Sequence, residues 1–118
     1  MTIPFGKLLK LALLAAFTAI GLHTSLAMAQ GAALTQSDLE AGKKLFSQTA
    51  VPACALCHTL KHADAGGEVG PVLDELRPDA ARVERALRNG VGLMPAFTSL
   101  SEAQIQLLAK YVSGVAGK

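Results

Sequence analysis

Cys54-Ala55-Leu56-Cys57-His58 contains both cysteines of the chain, and its spacing governs how the remaining residues are read. On one helical turn, residues i, i+3 and i+4 share a face. Two thiols there reach two vinyl-derived carbons on one porphyrin edge while the imidazole rises beneath the iron. C-x-x-C-H is accordingly the arrangement to which haem is covalently attached. Three other uses compete with it. A Cys54–Cys57 disulfide suits an exported protein, but it closes a loop too short to stabilise much. A thioredoxin-like redox pair needs a βαβ context, and none is apparent. A zinc site would draw on Cys54, Cys57, His58 and His62, four ligands in one nine-residue segment that cannot easily surround a tetrahedral ion.

Upstream, the first 30 residues have the three-part order of an export signal. Lys7 and Lys10 supply the positive end. Leu11 to Leu22 is uncharged and apolar but shorter than the roughly 20 residues of a bilayer span. Ala27-Met28-Ala29 is the small-x-small pattern of a cleavage site. Residues 1–29 are therefore expected to be a cleaved signal peptide, with residues 30–118 as one domain delivered to the periplasm and no stable membrane span after cleavage. An uncleaved N-terminal anchor is the alternative. Removing 29 of the 118 residues leaves 89, near the small end of what a single core stabilises. Nine basic residues then face nine acidic ones, and this balance gives no argument for nucleic acid. Only Phe46, Phe97 and Tyr111 remain as aromatics, so something else must fill the core. A haem would do so, since burying roughly 400 Å² of apolar macrocycle contributes on the order of 10 kcal/mol gross.

The periodicity of residues 30–118 is helical, which predicts an all-α fold. Thr35 and Asp38 form a capping-box pattern with Leu34 and Leu39 in the staple positions, predicting a first helix over Gln36–Ser47. Its buried stripe is Leu39, Gly42, Leu45 and Phe46, with Gly42 permitting close approach of a partner. Ser101 with Gln104, and Leu100 with Ile105, open the last helix in the same way; its stripe is Ile105, Leu108, Tyr111 and Val112. A third helix is predicted over Asp79–Asn89, entered through Pro78 and stopped by Gly90. Val83 and Leu87 face inward there, while Arg82, Arg85 and Arg88 form a solvated outer face. Ala63–Pro71 and Gly90–Pro95 read as loops without a strand pattern.

A haem with one protein ligand would leave a coordination site open, so a second axial residue matters. Met94 is the candidate. It is the only methionine beyond the signal, in the loop Gly90-Val91-Gly92-Leu93-Met94-Pro95, and Pro95 biases it toward extended backbone. Core filler is the bland alternative. His62 lies one turn beyond His58 and reads as a surface histidine. His and Met together raise the reduction potential and close the iron, favouring electron transfer over substrate turnover. A ligand-binding sensor or haem enzyme would need Met94 displaced and a distal acid or base, and the loop offers no obvious distal His or Arg.

From about Ala33 to Val115 the residues resemble the class I c-type cytochromes. Gly42 and Phe46 match that family's N-terminal helix, Tyr111 its C-terminal helix, Gly70-Pro71 the pair after the haem motif, and Met94-Pro95 the ligand loop. The resemblance implies crossed N- and C-terminal helices, with one or two further helices and loops, wrapped around one haem c bound through Cys54 and Cys57. It implies His58 and Met94 as the iron ligands, and Pro71 as acceptor of the His58 Nδ1 proton. It also implies an electron carrier rather than a catalyst. More narrowly, Cys54 through Glu68-Val69-Gly70-Pro71 to Gly92-Leu93-Met94-Pro95-Ala96-Phe97 is similar to the small cytochrome subunit paired with a molybdenum-containing sulfite dehydrogenase. That likeness implies the dehydrogenase's catalytic subunit as redox partner and a later cytochrome or oxidase as acceptor. A diffusible shuttle for another dehydrogenase or oxidase is the alternative.

Overall fold

Thr35 starts the first helix as expected: its side chain accepts from the Asp38 backbone N–H, and the Asp38 carboxylate accepts from the Thr35 N–H at 2.9 Å. The structure, a computed structural model, describes residues 33–118. The expected signal peptide, its cleavage point and residues 30–32 lie outside the described residues. Helix α1 is Gln36–Lys44, and the chain then widens into a π-turn over Leu45–Thr49, closed by the Ala50 N–H on the Leu45 carbonyl at 3.0 Å. The sequence predicts one uniform helix to Ser47. The wider turn, with an i→i+5 bond, carries helical winding past that point and leaves both Leu45 and Phe46 buried.

Two short segments follow the cysteines. Strands β1 (Thr59–Leu60) and β2 (Ala65–Gly66) pair antiparallel, Thr59 with Gly66 and Leu60 with Ala65. This small ladder departs from an all-α reading; it satisfies the backbone of a tight excursion too short to show a period in sequence. Helix α2 (Leu73–Leu76) is a single turn, ended by Arg77 in left-handed conformation with Pro78 behind it. Four residues are less than a legible helical pattern, so no residue signal places this element, though the resemblance leaves room for a second further helix.

Helix α3 is Ala80–Asn89, capped by Asp79, whose side chain accepts from the Arg82 N–H at 2.7 Å, and ended at Gly90. Helix α4 is Glu102–Val115, opened by the Ser101–Gln104 capping box. Arg88 joins the two helices, its guanidinium forked on Glu102 at 2.6 and 2.7 Å and reaching Glu84 at 3.2 Å. All three arginines of the outer face are exposed, as the sequence predicts, and Arg88 is in addition committed to carboxylates.

Gly42 of α1 lies against Tyr111 of α4. A Cβ on Gly42 would stand 2.5 Å from the Tyr111 Cγ, so only hydrogen allows this approach. Tyr111, Phe46, Leu60 and Leu108 are the largest fully buried side chains. Asp74 of α2 ties distant segments together, accepting from the backbone N–H groups of Lys61 at 2.7 Å and Gly117 at 3.0 Å.

Candidate functional site

Cys54, Cys57 and His58 sit on one tight turn. Cys54–Leu56 is 3₁₀-helical, and the Cys54 carbonyl accepts from both the Cys57 N–H at 3.1 Å and the His58 N–H at 3.0 Å. That double acceptance winds the segment so that the two sulfurs and the imidazole line the same cavity. The two cysteines are not joined to each other, and burial pushes the Cys54 thiol up to about 11.

The imidazole is oriented before it meets any ligand. Pro71 has no N–H and offers its carbonyl, so His58 Nδ1 donates to it at 2.9 Å. Nδ1 then carries the proton, and Nε2 keeps a free lone pair. Gly70 makes the arrangement sterically possible, because a Cβ there would lie 2.5 Å from the His58 Cε1. The Gly70 N–H also donates to the Cys57 carbonyl at 2.7 Å, fastening the Gly70-Pro71 pair to the cysteine turn.

Met94 enters the cavity from a different loop. Reciprocal backbone bonds between Val91 and Met94, each 2.9 Å, make this loop a small hairpin, and the Phe97 N–H anchors its far end on the Leu87 carbonyl at 2.8 Å. Neither the turn nor the bridge was legible as a strand pattern. The structure therefore brings Cys54, Cys57, His58, Pro71 and Met94 together around one cavity of about 820 Å³. The rest of its wall is largely apolar, including Phe46, Leu87, Phe97, Leu108 and Val112.

His62 does not join them. It is exposed, and its Nδ1 is 2.9 Å from the Tyr111 hydroxyl on the other side of the core. Burial, helped by the charge of Asp64, pushes the Tyr111 phenol up to about 12, so the hydroxyl stays protonated. His62 is the surface histidine that the sequence predicts, and its bond to Tyr111 has no local signal because the partners lie 49 residues apart. Among the described residues, no group of three or more His, Cys, Asp or Glu side chains is placed to hold a metal ion, which leaves the zinc reading without a ligand set.

The donor set fits haem on its chemistry. Two thiols and an imidazole with a free Nε2 share one wall, a thioether lies on another, and between them is an apolar space large enough for a macrocycle. The fold and this site define a small haem-bearing electron-transfer protein. A family model described as cytochrome c oxidase, cbb3-type, subunit III matches residues 37–112. Among solved structures, the c-type cytochrome SorU from Sinorhizobium meliloti is 52% identical, with a TM-score of 0.68 over 71% of this chain and 97% of that one. No curated protein matches the chain. The chain belongs to the class I c-type cytochromes, in the family this model describes, and carries covalently bound haem c.

Proposed function

We propose that this protein is an exported, periplasmic single-haem carrier of one electron at a time, with haem attached at Cys54 and Cys57 and iron held between His58 and Met94. The observation that carries this reading is that those four side chains, on two separate loops, line one largely apolar cavity. Haem supplies an iron that accepts and releases a single electron. His58 binds through Nε2, and the Pro71 carbonyl holds the imidazole in the required tautomer. Met94 would supply the second protein ligand, and a thioether there would favour the ferrous state, raise the potential and leave no open site for substrate. Helices α1 and α4, locked at the Gly42–Tyr111 notch, wrap the haem with α2, α3 and the connecting loops. The N-terminal signal is removed after Ala29; among the described residues no helix is long and apolar enough to cross a membrane.

The partner follows from the narrower motif likeness. The electrons come from the molybdenum-containing catalytic subunit of a sulfite dehydrogenase, two in succession for each sulfite, and pass to a later cytochrome or oxidase. The 52% identity with SorU over nearly all of that chain supports a place among its close kin. Purification from the native source tests the assignment: a molybdenum-bearing chain should accompany the protein and reduce its haem on addition of sulfite. Co-purification with a different dehydrogenase, and a haem left oxidised by sulfite, would refute it. For the ligand set, Met94→Ala should abolish the near-infrared iron–sulfur band, lower the midpoint potential and allow carbon monoxide to bind the reduced protein at neutral pH. Retention of both band and potential would exclude Met94.

A further inference from the structure

Helix α3 divides its three arginines between two tasks. Arg88 is occupied by Glu84 and Glu102. Arg82 and Arg85 form no ion pair among the described residues, and both line the cavity that receives Cys54, Cys57, His58 and Met94. With Asn89 they follow the i, i+3, i+7 spacing of a single helix face. The groups facing this cavity come from α1's π-turn, the cysteine turn, α2, α3, the Met94 loop and α4. Among the described residues that line it, Arg82 and Arg85 are the fixed charges, Cys54, Cys57 and His58 are the other titratable groups, and no carboxylate is present. An otherwise apolar cavity with two unpaired guanidinium groups on one rim suits a flat apolar ligand that bears two carboxylates.

We propose that Arg82 and Arg85 form the carboxylate-binding rim of the cavity, each pairing with a haem propionate and holding it ionised at the surface. This inference rests on the attachment of haem at Cys54 and Cys57. The physical reason is the fit of a planar guanidinium fork to a carboxylate, which a point charge does not match. It also gives α3 a division of labour: its Arg88 edge fastens the helix to α4, while its Arg82–Arg85 edge fastens the cofactor. The alternative, that both arginines dock an acidic redox partner, leaves the propionates without a cation on the cavity wall.

The test uses the haem-loaded protein with ¹³C-labelled propionate carboxyls followed by NMR against pH. Arg82→Gln and Arg85→Gln should each raise the titration of one propionate by about one pH unit, the loss expected when a neighbouring opposite charge is removed. The double variant should raise both and lower the midpoint potential. Arg85→Lys should restore only the part of its shift that charge alone supplies, and Arg88→Gln, which faces Glu84 and Glu102, should leave both resonances in place. Unchanged propionate titrations in the double variant, with thioether-bound haem still present, would overturn the proposal; weaker affinity for an acidic partner in that same variant would reassign the arginines to docking. Haem found unattached to Cys54 and Cys57 in the unaltered protein, by mass of the denatured chain, would instead overturn the attachment reading beneath it.

Discussion

Gly42→Ala is the sharpest probe of the packing between α1 and α4. The added Cβ would lie 2.5 Å from Tyr111 Cγ, 2.6 Å from its Cβ and 2.7 Å from Cδ2. Carbon atoms rest at about 3.5–4.0 Å, so the ring or the whole helix must retreat by about 1 Å. The ring has little freedom to do so. It is fully buried, packs against Phe46 at a centroid distance of 6.4 Å, and its hydroxyl is held by His62 at 2.9 Å. Overpacking a well-filled site costs about 3 kcal/mol at the upper end of the usual range, whereas alanine gains about 1 kcal/mol over glycine inside a helix. The net loss of about 2 kcal/mol corresponds to a fall in Tm of roughly 8–16 °C for a domain of this size. Thermal and guanidinium unfolding of the haem-loaded variant, followed by far-ultraviolet circular dichroism, measures it. Pairing the change with Tyr111→Ala separates clash from propensity: with Cγ and Cδ2 gone and only Cβ left in the way, the second change should recover part of the loss, giving a favourable coupling energy. A variant as stable as the parent, or no coupling with Tyr111→Ala, would refute the close approach.

Three further outcomes follow from particular contacts. Gly70→Ala places a Cβ 2.5 Å from His58 Cε1 and must tilt the ring off the Pro71 carbonyl; the haem should stay attached, while the His58 Nδ1–H resonance should broaden or vanish relative to the parent. Asp74→Asn leaves one oxygen where two now serve the Lys61 and Gly117 N–H groups, so stability should fall by about 0.5–1.5 kcal/mol in denaturant titrations at neutral pH, because both bonds are exposed. Those N–H groups, Gly117 first, hold the Asp74 carboxyl below its ordinary 3.8, and Arg88 holds Glu102 down from 4.5 to about 2. Both contributions are present above the ordinary values and lost as pH falls through the depressed ones, so stability should decline between about pH 4.5 and 2; Glu102→Gln should flatten that decline, modestly because the pair is exposed.

Much of this was written locally. The capping boxes at Thr35 and Ser101 and the stop at Gly90 depend on neighbours within a turn, and helices α1, α3 and α4 start and end close to where those signals place them. The haem motif is equally local, because five consecutive residues on one turn suffice to aim two thiols and an imidazole in the same direction. Met94 was an isolated candidate, a lone methionine before a proline, whereas Pro71 entered only through the resemblance of its Gly-Pro pair to the family's. Elements shorter than a period, namely α2, the Thr59–Gly66 ladder and the Val91–Met94 bridge, left no pattern to find.

Long-range partnerships were decided by tertiary structure alone. Sequence presents Arg82, Arg85 and Arg88 as one repeated outer stripe; only the packing of α3 on α4 brings Glu102 to Arg88 and leaves the other two on a cavity rim. The bond of His62 has no local signal because its partner, Tyr111, lies on a helix 49 residues away. The sequence by itself determined what chemistry the chain can hold, since attachment and capping act within a turn. The fold determined which side chains are spent on one another and which remain free to face a ligand, since that depends on where distant helices come to rest.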